Sequence, residues 1–166
     1  RRFTMTTTKT IETAIKRLSM YDIYAQAECS CYTNHFSKDV TDSDLIHRTL
    51  NAPRNIPGAS VFTADENVVL QAIQETLMDY SEWITEWLND YSDREELFCE
   101  SEVDTVLGKG FYKKSWHNWN KAGAAQLHKI CVVLRKSDNA NGYRIHTCYP
   151  EFTAEDIERC KLAAAM

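Results

Sequence analysis

Around Glu102 the chain changes period, and that change limits the possible folds more than any single residue does. Before it, apolar side chains recur at three- and four-residue intervals; after it they alternate. Those spacings belong to helices and to strands respectively. Ile11, Ala14, Ile15, Leu18 and Ile23 predict a helix over 10–28. "TDSDLIHRTL" (41–50) predicts a short helix capped by Asp or Ser. "NAPRNIPGAS" (51–60) holds two prolines and a glycine and reads as a loop. From Thr63, the residues Val68, Val69, Ala72, Ile73, Leu77 and Tyr80 share one helical face. Ile84, Trp87, Leu88 and Tyr91 continue it past a slight break that Asp79 or Ser81 is placed to cap.

After Glu102 come "VDTVLGKGFYKKSW", "HKICVVLRK" and "GYRIHTCYP", three runs rich in β-branched and aromatic residues, with "SDNANG" a hairpin loop between the last two. The expectation is an α+β domain, with N-terminal helices packed on a C-terminal antiparallel sheet. The 166 residues suit one domain. No apolar run approaches the ~18 residues of a membrane span, so none is expected. "RRFT" and "AAAM" at the two ends show no clear folding role. The final strand opens on a glycine and stops at a proline. Alternation puts Tyr143, Ile145, Thr147 and Tyr149 in one row, and Arg144, His146 and Cys148 in the other. The first row begins as core packing and ends in two hydroxyls.

Charge is segregated. Residues 39–104 balance at −13 and residues 105–146 at +7, within a total of −5. A cationic ligand surface explains the second block, and a Lys-protected sheet edge explains it equally. The cysteines at 29, 31, 99, 131, 148 and 160 show neither a disulfide framework nor zinc-finger spacing, which predicts free thiols in a reducing compartment. Cys131 and Cys148 fall in strands, where a thiol packs as a small apolar group. Phosphate-loop, dinucleotide, zinc-hydrolase and nucleophile-elbow motifs are absent. No metal or cofactor is expected.

The side chains that remain suit phosphodiester chemistry. His35, in a polar segment, has the residue type of a general base near neutral pH, and His47 competes for that role. Arg48 can grip a phosphate with two donors, or pair with Asp44 one helical turn away. Thr147 and Tyr149 can donate to the same oxygens. Trp116 and Trp119 among Lys113, Lys114 and Lys121 make a candidate RNA-binding track, although tryptophans are more often core residues. His146, adjacent to Thr147 on the strand, faces away from it by the same alternation.

The stretch from "DLIHRTLNAPRNIPGASVF" through the helix around Ile84, Trp87 and Leu88, then "VLGKGFYKK" and "KICVVLRKSDNANGYRIHTCYPE", resembles the RNase A-like bacterial toxin domain. That domain stands at the C-terminal ends of contact-dependent growth inhibition and other polymorphic toxins. The likeness runs from about residue 35 to 151, through Arg48, Ser60 with Phe62, Gly108 with Gly110, Val132 to Leu134, and Thr147 to Pro150. It implies a pancreatic-type ribonuclease fold without disulfides, in a domain at 29–166 with residues 1–28 as an N-terminal helical extension. It implies metal-independent cleavage of RNA, not DNA, by His35, Arg48, Thr147 and Tyr149. It also implies a dedicated immunity protein, and delivery by a larger toxin system to act in a target cell's cytoplasm. The rival expectations are an inactive relative and a non-catalytic module that binds RNA or protein through residues 105–146.

Overall fold

Ser19 divides the first helical stretch. Its hydroxyl accepts the Asp22 N–H at 3.1 Å, and its own N–H donates to the Asp22 carboxylate at 3.1 Å, so a new helix is capped where one continuous helix was expected. The structure, a computed structural model, describes residues 5–26, 35–36, 39–90 and 93–166, the side chains at 116–118, 120 and 121 excepted. Helix α1 spans Thr8–Lys16 and α2 spans Met20–Gln26. Helix α3, Asp42–Leu50, is capped by Thr41 in a reciprocal box with Asp44, not by an Asp or Ser. Helices α4 (Glu66–Asp79) and α5 (Ser81–Asn89) break at Tyr80, with no side-chain cap at the junction. Both break points conform to the apolar stripe: Ile11, Ile15, Ile23, Val69, Ile73, Leu77, Ile84 and Trp87 are all buried in one cluster.

The strand reading needs three corrections. Strand β1, Gly58–Phe62, begins within the stretch expected to be a loop, whose prolines masked the start of a short run that enters the core at Val61 and Phe62. Strand β2, Glu96–Glu102, precedes the expected boundary. Its acidic residues hide an alternation in which Leu97 and Cys99 are buried. Strand β3 is only Gly108–Tyr112, because Lys113–Asn118 coil into a 3₁₀ turn followed by the short helix α6, Trp119–Ala122. Strands β4 (Ala125–Leu127), β5 (Lys129–Lys136) and β6 (Tyr143–Glu151) follow, and helix α7, Ala154–Ala165, takes the terminal alanines into its last turn.

Two antiparallel sheets result, ordered β1-β3-β4 and β2-β5-β6. The β5–β6 hairpin closes through residues 137–142, with Gly142 at φ +80 supplying a backbone angle that side chains disfavour. One face of the β2-β5-β6 sheet packs on α2 and α4 through Leu97, Cys99, Ile130, Val132, Leu134, Tyr143, Ile145 and Cys148, in a core that α1 and α5 complete. The separated charge blocks meet in this sheet. Acidic β2 pairs with basic β5, placing Glu96 on Arg135 at 2.9 Å and Glu100 on Lys129 at 3.3 Å, while Lys109 of β3 meets Asp42 of α3 at 2.6 Å.

The two sheets are joined where β6 ends. The Ser60 hydroxyl donates to the Pro150 carbonyl at 2.6 Å. A Cβ on Gly108 would sit 2.3 Å from the Val61 carbonyl oxygen and 2.7 Å from the Pro150 ring. Glycine is therefore what lets β6 approach the β1–β3 pair so closely. Among the described residues, no helix is long and apolar enough to cross a membrane. Cys99, Cys131, Cys148 and Cys160 are free and buried; Cys29 and Cys31 lie outside the described residues.

Candidate active site

One residue in β6 corrects the reading of its final strand. Thr147 pairs with Val133 while Ile145 pairs with Leu134, so His146 is an extra residue, a β-bulge. Alternation restarts after it. Tyr143 and Ile145 face the helices, but beyond the bulge it is Cys148 and Pro150 that are buried, and Thr147 and Tyr149 turn to the opposite face. The hydroxyls therefore do not continue the core row. They stand on the open face of a sheet whose other side is anchored in the main core. The bulge also brings His146 to the open side, where its Nε2 lies 4.0 Å from Glu96; it does not face away from Thr147 as simple alternation required.

Rungs of the ladder order this face. Phe98, Val133 and Thr147 share one rung; Glu100, Cys131 and Tyr149 share the next; Glu102, Lys129 and Glu151 follow. His35 reaches the middle rung from beyond its β6 edge. Its ring centroid is 5.7 Å from that of Tyr149. Its Nδ1 lies 3.2 Å from the Ser60 carbonyl oxygen on β1. A carbonyl only accepts, so Nδ1 carries the proton and Nε2 of the neutral ring keeps a free lone pair. Burial lowers the His35 pKa to about 4; the Ser60 hydrogen bond opposes this and the Arg48 charge adds to it. A base is thus held neutral, in one tautomer, beside a cation.

Arg48 projects from α3, which packs on β1 and β3. Desolvation lowers its pKa, with Asp44 acting the other way; a guanidinium keeps its charge regardless. Tyr149 hydrogen-bonds to the Cys131 thiol, and burial together with that thiol raises its pKa, so the phenol remains a donor at neutral pH. The structure thus brings His35, Arg48 and Tyr149 together, with Thr147 one rung along. His47 is separate: it is exposed, with its Nε2 3.3 Å from the Asn51 side-chain nitrogen.

The expected RNA-binding track is less coherent. The Lys113 ammonium donates to the Ala52 carbonyl, and only Lys114 of the described lysines in this track is exposed. Trp119 packs on Phe111, with ring centroids 5.9 Å apart, and donates to the Tyr112 carbonyl at 3.3 Å, which uses the ring in a small core cluster with Leu45 and Val61. The side chains of Trp116 and Lys121 lie outside the described residues.

Sequence reading missed three parts of the site. Ser60 orients the His35 ring through its carbonyl and ties the sheets through its hydroxyl. Its place in the Ser-x-Phe pair was visible, but its role was not. Cys131 was read as packing alone, yet it also contacts the Tyr149 hydroxyl. Glu100 and Glu151 lie side by side, and the Lys129 ammonium lies 3.3 Å from each. Glu100, Cys131 and Glu151 present ligand-type atoms within 4.8 Å of one another, and Lys129 supplies a positive charge at that cluster.

Comparison with known proteins gives one family and one structural likeness. The model of the bacterial CdiA-CT RNase A domain matches residues 31–150. The CdiA-CT/CdiI complex from Y. kristensenii 33638 contains a chain similar to this one at 18% sequence identity and a TM-score of 0.60, with 75% of this chain and 100% of that chain covered. The likeness establishes the α+β fold independently of sequence. No curated protein matches.

Proposed function

Because the chain belongs to the bacterial CdiA-CT RNase A domain family, we propose that it is a toxin ribonuclease that cleaves RNA without a metal. His35 Nε2 takes the proton from a ribose 2′-OH, whose oxygen attacks the adjacent phosphorus. The P–O5′ bond breaks, leaving a 2′,3′-cyclic phosphate and a free 5′-OH. Arg48, Thr147 and Tyr149 donate to the phosphoryl oxygens as negative charge builds on them, each donor of this kind contributing roughly 10²–10³ in rate. DNA lacks the nucleophile and is not a substrate.

The observation that supports this reading most is the His35 tautomer: the Ser60 carbonyl holds Nδ1, and Nε2 is left as an acceptor beside Arg48 and Tyr149. The toxin domain is placed at 29–166, delivered as part of a larger contact-dependent system and active in the target-cell cytoplasm. The similar solved structure is a CdiA-CT/CdiI complex, so a cognate immunity protein is the expected partner. The rival module reading loses ground because much of the basic block is already paired within the fold.

The test is incubation of the protein with total RNA and with DNA in EDTA, followed by analysis of the ends. RNA bearing 5′-OH and 2′,3′-cyclic phosphate termini is expected, DNA stays intact, and His35→Gln abolishes cleavage. A metal requirement, cut DNA or an active His35→Gln variant overturns the proposal.

A further inference from the structure

The open face that carries Thr147 and Tyr149 extends across β5 to β2, and its two ends differ in charge. Beside and beyond Tyr149 toward one end lie Glu100, Glu102 and Glu151 around Lys129, three carboxylates against one ammonium. At the other end the rung of Glu96, Arg135 and Arg144 sets two arginines against one glutamate. A polyanion held at Tyr149 is repelled by the first end and drawn to the second. Phe98 stands on the way to that second end. It shares a rung with Val133 and Thr147 and is 50% exposed, while Leu97, Cys99 and Val133 around it are buried. A single exposed apolar side chain asks for no explanation by itself; the place of this one, on the catalytic face and on the cationic side of the site, gives it a use.

The geometry of the reaction fixes which part of the substrate comes there. In-line displacement sets the leaving oxygen opposite the attacking one. His35, which takes the 2′-OH proton, approaches Tyr149 from beyond the β6 edge. The 5′-oxygen therefore departs over β5 toward β2. The nucleoside attached to it, immediately 3′ of the cut, lies on the side where Phe98 stands. Phe98 and Thr147 are separated by two strand spacings, roughly 10 Å, a gap that a ribose and its base bridge. We infer that Phe98 is the stacking platform for the base on the 3′ side of the scissile phosphate, with Arg135 and Arg144 meeting the backbone beyond that base. The inference rests on the ribonuclease reading and deepens it: the strand crosses the sheet with its 3′ part over β2, and the leaving nucleoside is held by the protein. A phenyl ring stacks with any of the four bases, so Phe98 supplies position and affinity without base choice.

The experiment uses chimeric tetranucleotides that hold a single ribose and are cut only there, in the base context that wild type cleaves fastest. One carries all four bases, a second has an abasic residue immediately 3′ of the ribose, and a third has one immediately 5′ of it. Phe98→Ala is expected to lower kcat/KM on the complete and 5′-abasic substrates roughly tenfold. On the 3′-abasic substrate it stays within about twofold of wild type, which also certifies its fold. Phe98→Trp retains the wild-type rates. Two further nucleotides at the 3′ end lower KM for wild type but not for the double variant Arg135→Gln, Arg144→Gln. No loss in Phe98→Ala on the complete substrate, an equal loss on the 3′-abasic one, or a loss that vanishes on the 5′-abasic one overturns the inference; the first outcome would leave Phe98 a surface for a protein partner. A double variant that gains as much as wild type overturns the place given to the arginines. His35→Gln is expected to abolish cleavage of all three substrates; its failure to do so sinks the ribonuclease reading itself, whatever Phe98 does.

Discussion

Replacing His35 by Gln has a cost and a benefit, and the benefit is measurable without any substrate. Glutamine keeps an N–H for the Ser60 carbonyl but cannot titrate. In the wild type the imidazole is held neutral, with a pKa of about 4 against 6.5 unperturbed. Between those values the unfolded chain binds more protons than the folded one. Stability therefore rises with pH through that window, and is lost as pH falls from 6.5 toward 4. At about 1.4 kcal/mol per tenfold change in proton affinity, the loss by pH 4 is about 3 kcal/mol. Carboxylates titrate in the same range but are common to both proteins. The assay is urea unfolding followed by tryptophan fluorescence at pH 7.5 and pH 4. The wild type is expected to lose about 3 kcal/mol more than the variant over that interval. Parallel pH curves would show that the imidazole is not held neutral, and the account of the base would fail with it.

Two further outcomes test the framework that carries the site. Ser60→Ala leaves the Pro150 carbonyl without its 2.6 Å donor and is expected to lower the unfolding free energy by about 1–3 kcal/mol, read by the same urea titration. Gly108→Ala places a methyl group 2.3 Å from a backbone oxygen, with an expected cost of about 1–3 kcal/mol or more, and a melting temperature equal to wild type would show that β6 does not approach as closely as described.

Much of the helical layer was legible because burial follows the 3.6-residue stripe, and Ile11, Ile15, Ile73 and Ile84 needed no tertiary knowledge. Caps were less so: Ser19 and Thr41 act through hydrogen bonds that polar stretches offer at several places, and only one is taken. Strand β2 was hidden because a sheet with one open face tolerates glutamates there, provided a basic partner strand lies alongside, and that partner is 33 residues further on at Lys129. At the site, residue types and family text pointed to His35, Arg48, Thr147 and Tyr149. The rule that placed the two hydroxyls on the core row was wrong by one position. Cys148 and Pro150, apolar residues out of phase with Tyr143 and Ile145, were the available sign of the bulge. The carboxyl pair had no local signature at all, since Glu100 and Glu151 meet only when β2 and β6 flank β5.

The extra residue in β6 makes parity a property of this protein. The register skips position 146, with Ile145 on Leu134 and Thr147 on Val133. Were the same residues laid out in plain alternation with no bulge, Thr147 and Tyr149 would join the row of Tyr143 and Ile145 in the helical layer and Cys148 would turn outward, giving a chain of identical composition whose open face carries a thiol and hydrocarbon where the two hydroxyls now stand.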